Sequence, residues 1–123
     1  MSKYKVTVSS EAIEDLRDIH SYIAFTLQAK QTATNQLNRI RKAIYELDTF
    51  PLRYKLVEWE PWSSMNVHQF SVNNYEIFYT VDEKVKTVSV IHVFYGGRNI
   101  EGIIQNDTDE SVADMFGSGS VLS

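Results

Sequence analysis

The residues with the clearest capacity for chemistry lie in the segment VIHVFYGGRN, where a β-branched run ends in tyrosine, two glycines and arginine. Arg98 carries a planar guanidinium that can pair with a carboxylate or a phosphate through two parallel hydrogen bonds. Tyr95 adds a phenol, while Gly96 and Gly97 allow positive φ, a chain reversal or the close approach of another chain. We therefore expect Tyr95 and Arg98 to bind a target, and they are also our candidates for any catalytic role. The alternative is structural: Tyr95 packs with its hydroxyl satisfied, and Arg98 pairs with Glu101.

Two further cations, Arg53 and Lys55, follow a Phe-Pro pair and form part of a local excess of positive charge. The three histidines show no spacing typical of a metal site, and the sequence has no cysteine. No nucleophile elbow, phosphate-binding glycine loop or zinc motif occurs. We therefore expect no metal, no cofactor and no redox chemistry. We interpret His92 as a partly buried, hydrogen-bonded residue of a strand.

The length of 123 residues and the hydrophobic content of 43% fit one domain with one core. Of the 16 acidic residues, four follow Asn106, and the other 12 balance the 12 Lys and Arg, so the net charge of −4 belongs to the chain end. A protein that depends on phosphate contacts usually has a basic face, so this balance argues against tight RNA binding. No run approaches the roughly 20 apolar residues of a membrane span. Since no secretory signal is found either, we expect a cytoplasmic protein.

We divide the chain into a single domain, residues 1–105, and an acidic, flexible C-terminal tail, residues 106–123. The tail is rich in Asp, Ser and Gly, and its composition cannot offset the entropy lost on ordering. Val112, Met115 and Phe116 have helical one-face spacing, so an amphipathic turn on a partner or on this protein is the alternative. The solvated tail is the preferred interpretation.

Hydrophobic periodicity predicts the elements that position these residues. YKVTV alternates as a half-buried strand, and Ser9 or Ser10 offers an N-cap for a helix. The apolar stripe of that helix consists of Ala12, Leu16, Ile19, Ile23 and Leu27. A second helix ends before Pro51, and a loop or short strand covers residues 52–64. VHQFSV, NYEIFYTV and TVSVIHVF then alternate as antiparallel strands, so the predicted class is α+β: an N-terminal strand, a two-helix hairpin, and a twisted sheet covered by the helices.

Four segments occur in an order that resembles the RelE/ParE family of bacterial type II toxins: YKVTVSSEAIEDLRDIHSYI, FPLRYK, NYEIFYTVD and VSVIHVFYGGRN. The resemblance covers roughly residues 4–104. It implies the toxin of a toxin–antitoxin system, a compact RelE/ParE-like fold and a cognate antitoxin. It also implies neutralisation by an antitoxin segment that wraps the surface of the toxin.

The resemblance leaves the cellular target open. Ribonuclease members similar to RelE or YoeB use an arginine beside the opening tyrosine of the central strand, where this chain has Glu76. Gly96 and Gly97 stand near the positions of other catalytic side chains in those members. The target-binding residues that the resemblance leaves are Tyr95 and Arg98, with Arg53 and Lys55 adding charge. The ending VFYGGRN more closely resembles the ParE-like ending Val-Leu-His-Gly-Arg-Arg-Asp, although Tyr95 replaces the frequent histidine and Gly97 the frequent arginine.

ParE-like members are associated with inhibition of DNA gyrase, so the leading interpretation is a growth inhibitor that binds a protein target and is not an enzyme. Two alternatives remain. One is a RelE-like endoribonuclease that cleaves mRNA on the ribosome, and the other is an inactive relative that acts as a binding partner. In either toxin interpretation, Glu76 is expected to face away from the side covered by Tyr75, Ile77 and Tyr79.

Overall fold

The computed structural model describes residues 3–105. Strand β1, Lys5–Val8, is followed by helix α1, Ser10–Ser21, and by a short π-helix, Tyr22–Thr26. Helix α2, Lys30–Tyr45, precedes two 3-10 turns, Glu46–Asp48 and Pro51–Arg53. Strands β2, His68–Val72, β3, Tyr75–Asp82, and β4, Thr87–Tyr95, complete the sheet, and residues 100–105 are helical. The predictions for residues 106–123 lie outside the described residues.

The four strands form one mixed sheet in the order β1-β4-β3-β2. Strand β1 runs parallel to β4, and the pairs β4–β3 and β3–β2 are antiparallel. A parallel neighbour needs a long crossover, which the helical hairpin supplies. The predicted α+β class, its element order and the helix-covered sheet are confirmed.

Helix α1 begins where the sequence places a cap, because the Ser9 hydroxyl accepts a hydrogen bond from the Ala12 amide at 3.0 Å. The predicted single stripe from Ala12 to Leu27 is wrong in its last part. The α-helix ends at Ser21 and continues as the π-helix, and Leu27 is exposed. A π-turn adds one residue to each hydrogen-bonded ring, which rotates later side chains away from the stripe.

The sheet has two covered faces. The helical hairpin packs on one face, where Ile40, Ile44, Ile77, Val90 and other apolar residues form the main core. The opposite face packs against Trp62 and its neighbours and against Ile104. The segment 52–64 continues from the 3-10 turn Pro51–Arg53 as a loop, in which an isolated bridge pairs Leu56 with His68. Within residues 3–105, no helix is long and apolar enough to cross a membrane.

Candidate functional site

Tyr95 is the last residue of β4 and pairs with Tyr75, the first residue of β3. Their rings meet edge to face, with centroids 5.9 Å apart. The chain then turns, because the Gly96 amide donates to the Asn74 carbonyl at 2.7 Å and the Arg98 amide donates to the Tyr95 carbonyl at 3.1 Å. Tyr95 is half exposed, and among the described residues its hydroxyl has no hydrogen-bond partner. No described residue therefore satisfies the hydroxyl, whereas the ring packs against Tyr75 as the structural alternative expects.

Gly96 and Gly97 stand where atoms of other residues lie too close to the backbone to leave room for a side chain. Neither has a φ between +20° and +160°, so positive φ, one of the three roles considered for them, does not apply. A Cβ atom on Gly96 would lie 3.2 Å from the Asn74 carbonyl oxygen. A Cβ atom on Gly97 would lie 2.5 Å from Cε2 of Tyr95. Gly97 thus leaves room for the Tyr95 ring to fold back over the turn.

Arg98 is exposed and lies over the ring of Phe94, with its Cζ atom 5.7 Å from the ring centroid. The predicted alternative, a pair between Arg98 and Glu101, is wrong: the Glu101 carboxylate instead accepts from Gln105 Nε2 at 3.3 Å. The charged end of Arg98 consequently has no ion-pair partner within residues 3–105. A guanidinium held over a ring and left unpaired is available for a carboxylate or a phosphate.

Arg53 and Lys55 do not join this pair. Arg53 caps its own turn, because its Nη1 donates to the carbonyls of Thr49 and Phe50, and its guanidinium lies 4.7 Å from the centroid of the Tyr54 ring. Arg53 lines a separate groove of about 570 Å³ at the start of the sheet. The backbone of Lys55 accepts from the Gln69 amide at 2.9 Å, and its side chain is exposed. The predicted target-binding set therefore divides into two regions.

Glu76 lies on the sheet face opposite the helices. Its carboxylate accepts from the Ser71 hydroxyl at 2.7 Å and from Gln69 Nε2 at 3.3 Å. Tyr75 and Ile77, by contrast, pack in the core beneath the helices. The direction expected for Glu76 agrees with these contacts, and the carboxylate is part of a local network of hydrogen bonds between β2 and β3.

A contact that sequence reasoning missed joins α1 to β4. One carboxylate oxygen of Asp15 lies 2.7 Å from Nδ1 of His92 and also accepts from the Val93 amide at 2.9 Å. The His92 ring stacks on Phe94, with centroids 4.8 Å apart, and on Trp62 at 5.9 Å. The expected partly buried, hydrogen-bonded histidine is thus observed. Nothing in the sequence indicated Asp15 as the partner of His92, because the two residues are 77 positions apart.

A cleft of about 700 Å³ brings Tyr95 and Arg98 together with groups from both helices. Its walls include Tyr22 from the π-helix, Gln36 from α2 and Tyr75 from β3. Burial raises the pKa of the Tyr75 phenol, and the neighbouring phenols of Tyr95 and Tyr22 raise it further. Tyr75 therefore remains a protonated hydrogen-bond donor under ordinary conditions.

The charges of the cleft are mixed. Asp15 and Asp18 lie in its wall, and Arg98 is the one cation among the described residues that line it. Within residues 3–105, no group of three His, Cys, Asp or Glu side chains is arranged to hold a metal ion. The cleft offers aromatic surface and hydrogen-bond donors, which are properties of a binding site.

The family model described as ParE toxin of type II toxin-antitoxin system, parDE, matches residues 6–100 of the chain. The match begins at Val6 in β1, covers the helical hairpin and the other three strands, and ends at Ile100, beyond Arg98. No curated protein matches the sequence of this chain.

Solved structures share the fold at low identity. A chain from the chromosomal ParDE system of P. aeruginosa has a TM-score of 0.63 and 12% identity, covering 76% of this chain and 96% of that one. A chain of the RelBE2 toxin-antitoxin complex from Mycobacterium tuberculosis has a TM-score of 0.58 and 21% identity, covering 77% and 93%. A chain of the archaeal RelE-RelB complex from Pyrococcus horikoshii has a TM-score of 0.54 and 15% identity, covering 78% and 98%.

Proposed function

Because this chain belongs to the ParE toxin family of type II toxin–antitoxin systems, we propose that it inhibits growth by binding DNA gyrase in the cytoplasm. In this proposal Tyr95 and Arg98 contact the target at the end of β4, and no bond is hydrolysed. Arg53 and Lys55 form a second, separate contact region. Residues 1–105 act as the toxin domain, and residues 106–123 are an acidic extension.

The observation that carries the proposal is the charge of the cleft around Tyr95. Arg98 is the one cation among its described lining residues, and it shares the wall with Asp15 and Asp18. Two carboxylates repel the phosphates of a nucleic acid, whereas they can pair with basic side chains of a protein. A protein target is therefore favoured over an RNA substrate.

The environment of Glu76 supports the same choice. Its carboxylate lies beside the turn, since a Cβ atom on Gly96 would be 3.3 Å from Glu76 Oε2. A carboxylate at this place cannot stabilise the charge that develops on a cleaving phosphate, as a guanidinium could. Ser71 and Gln69 both donate hydrogen bonds to the Glu76 carboxylate, and these bonds are consistent with a structural role for Glu76.

We further propose a cognate antitoxin as the physiological partner. Structures similar to this chain come from a RelBE2 toxin-antitoxin complex and from a RelE-RelB complex. The exposed apolar side chains of this chain give such a partner surface to cover, among them Phe25 and Leu27 near the π-helix.

Growth arrest on expression tests the toxin proposal. We expect expression of the chain alone to stop bacterial growth, and co-expression of the protein from the adjoining reading frame to restore it. Normal growth with verified soluble protein would contradict toxin function and favour the inactive relative. Codon-positioned cleavage of mRNA in a reconstituted translation system would instead establish the endoribonuclease.

A further inference from the structure

The cleft beside Tyr95 is formed where a rare element meets the end of the sheet. One wall is the π-helix Tyr22–Thr26, and the other is made by the paired ends of β3 and β4. A π-helix replaces the i→i+4 hydrogen bonds of an α-helix with i→i+5 bonds, and such segments occur frequently at functional sites. The position of this one directs Tyr22 and Ile23 into the cleft wall.

Gln36 contributes an unpaired donor to the same wall. Its side chain is 8% exposed, and its Oε1 accepts from Arg39 Nη1 at 3.2 Å and from Asn73 Nδ2 at 3.1 Å. These two donors fix the orientation of the amide, because a flipped amide would present hydrogens to both of them. Nε2 is left buried without a hydrogen-bond partner among the described residues. An unpaired buried N–H₂ group is costly unless a ligand supplies the acceptor.

The rim of the cleft is aromatic and aliphatic. Tyr22 is 56% exposed, Leu27 is 55% exposed and Tyr95 is 49% exposed. Exposed side chains of this kind can change rotamer, which is one way for an acceptor to reach the buried Gln36 Nε2. Asp18, also in the wall, is exposed and forms no ion pair within residues 3–105.

We propose that this cleft binds an extended polypeptide segment of a partner protein. A backbone carbonyl of the segment accepts a hydrogen bond from Gln36 Nε2, and an apolar side chain packs among Tyr22, Tyr75 and Tyr95. A lysine or arginine of the segment pairs with Asp18. The segment carries no acidic residue beside that position, because the carboxylates of Asp15 and Asp18 would repel it.

This inference rests on the proposed function, since Tyr95 and Arg98 belong to the surface proposed to bind the target. It goes further by naming the chemistry of the partner: a carbonyl acceptor, an apolar side chain and a basic side chain. The bases of an oligonucleotide could stack on the aromatic rim, but its phosphates would lie against the carboxylates of Asp15 and Asp18. The negative charge of this wall therefore favours the polypeptide.

Nuclear magnetic resonance can observe the site directly, because the side-chain NH₂ group of Gln36 gives its own signals. The probes are the blocked peptide acetyl-Gly-Leu-Lys-Gly-amide, the same peptide with glutamate in place of lysine, and the ribodinucleotide adenylyl-adenosine. We expect the lysine peptide to shift the Gln36 NH₂ signals saturably. The glutamate peptide should bind at least about fivefold more weakly, and the dinucleotide should leave these signals unchanged.

Two matched variants complete the test. Gln36→Glu keeps an acceptor for Arg39 and Asn73 but removes the donor, so it should weaken binding of the lysine peptide by about tenfold. Gln31→Glu makes the same chemical change on an exposed part of α2 and should bind like the unmodified chain. Because the NH₂ signals are recorded on the unmodified chain, misfolding of Gln36→Glu would not remove the test.

Unchanged Gln36 signals with the lysine peptide would overturn the inference, and so would equal binding of the two peptides. A shift produced by the dinucleotide alone would assign the cleft to nucleic acid. Growth arrest by the unmodified chain is measured without any peptide. A failure of the cleft inference is therefore distinguishable from a failure of the proposed toxin function.

Discussion

The ring of Tyr95 folds back over Gly97, so that a Cβ atom on Gly97 would lie 2.5 Å from Cε2 of that ring. Tyr95 is half exposed, and its ring can rotate away from an added methyl group. We therefore expect Gly97→Ala to displace Tyr95 while lowering the free energy of unfolding by less than about 1 kcal/mol. Proton signals of the Tyr95 ring should move, and growth arrest should weaken.

Gly96→Ala is the matched control for that prediction. Its Cβ atom would lie 3.2 Å from the Asn74 carbonyl oxygen and 3.3 Å from Glu76 Oε2, so the added methyl group would press on β3. We expect Gly96→Ala to leave the Tyr95 ring signals near their original positions. If both variants moved the ring equally, or if Gly97→Ala left it in place, the contact between Tyr95 and Gly97 would not determine the conformation of this turn.

Replacement of Arg98 should affect toxicity more than stability. Its guanidinium contacts the Phe94 ring and has no ion-pair partner in the described part of the chain, so Arg98→Ala should cost about 0.5–1 kcal/mol of stability. A target anchor of this type is worth about 2 kcal/mol or more, which is more than a tenfold change in affinity.

Melting temperature and growth arrest should be measured on the same variant of Arg98. Arg98→Lys keeps the charge but loses the planar fork, and we expect it to restore only part of the toxicity. A loss of toxicity in Arg98→Ala that merely follows the unfolded fraction would make the residue structural.

Glu76→Gln should have little effect on growth arrest. The amide introduced by this substitution would still offer an oxygen to the Ser71 hydroxyl, which donates to the Glu76 carboxylate at 2.7 Å. We expect a stability loss of up to about 1 kcal/mol, because the hydrogen bonds from Ser71 and Gln69 both lose a charged acceptor. Abolished toxicity in a well-folded Glu76→Gln protein would show that the carboxylate is functional.

The sequence predicted the fold well because the fold follows from local patterns. Ser9 caps α1 as its residue type predicted, and the alternation along YEIFY places Ile77 in the core and Glu76 on the opposite face. The alternation along TVSVIHVF failed to predict the β-bulge in β4, where Phe78 pairs with His92 and Tyr79 with Val90, so that Ile91 is the extra residue. A bulge inserts one residue without a characteristic sequence.

The candidate site was only partly predictable. Tyr95 and Arg98, which were expected to act on one surface beside the two glycines, share one cleft, whereas Arg53 lies in a different groove. No sequence pattern indicated that Gln36 or Asp15 belongs to the site, because their roles depend on tertiary contacts with Asn73 and His92. Periodicity reports which face a residue occupies and not which distant residue it meets.

The contact between Asp15 and His92 should be important for stability. Asp15→Ala removes the acceptor of the Val93 amide, which is buried, and we expect a loss of about 1–3 kcal/mol in the free energy of unfolding. Asp18→Ala is the control on the same helix, because Asp18 is exposed and its carboxylate forms no hydrogen bond or ion pair within residues 3–105. Equal denaturant midpoints for the two variants would contradict this prediction.

Inhibition of supercoiling by purified DNA gyrase tests the proposed target most directly. We expect the purified chain to reduce the conversion of relaxed plasmid to the supercoiled form in proportion to its concentration. Arg98→Ala should require more than about ten times as much protein for the same effect. Full supercoiling activity in the presence of a molar excess of folded, growth-arresting chain would contradict gyrase as the target.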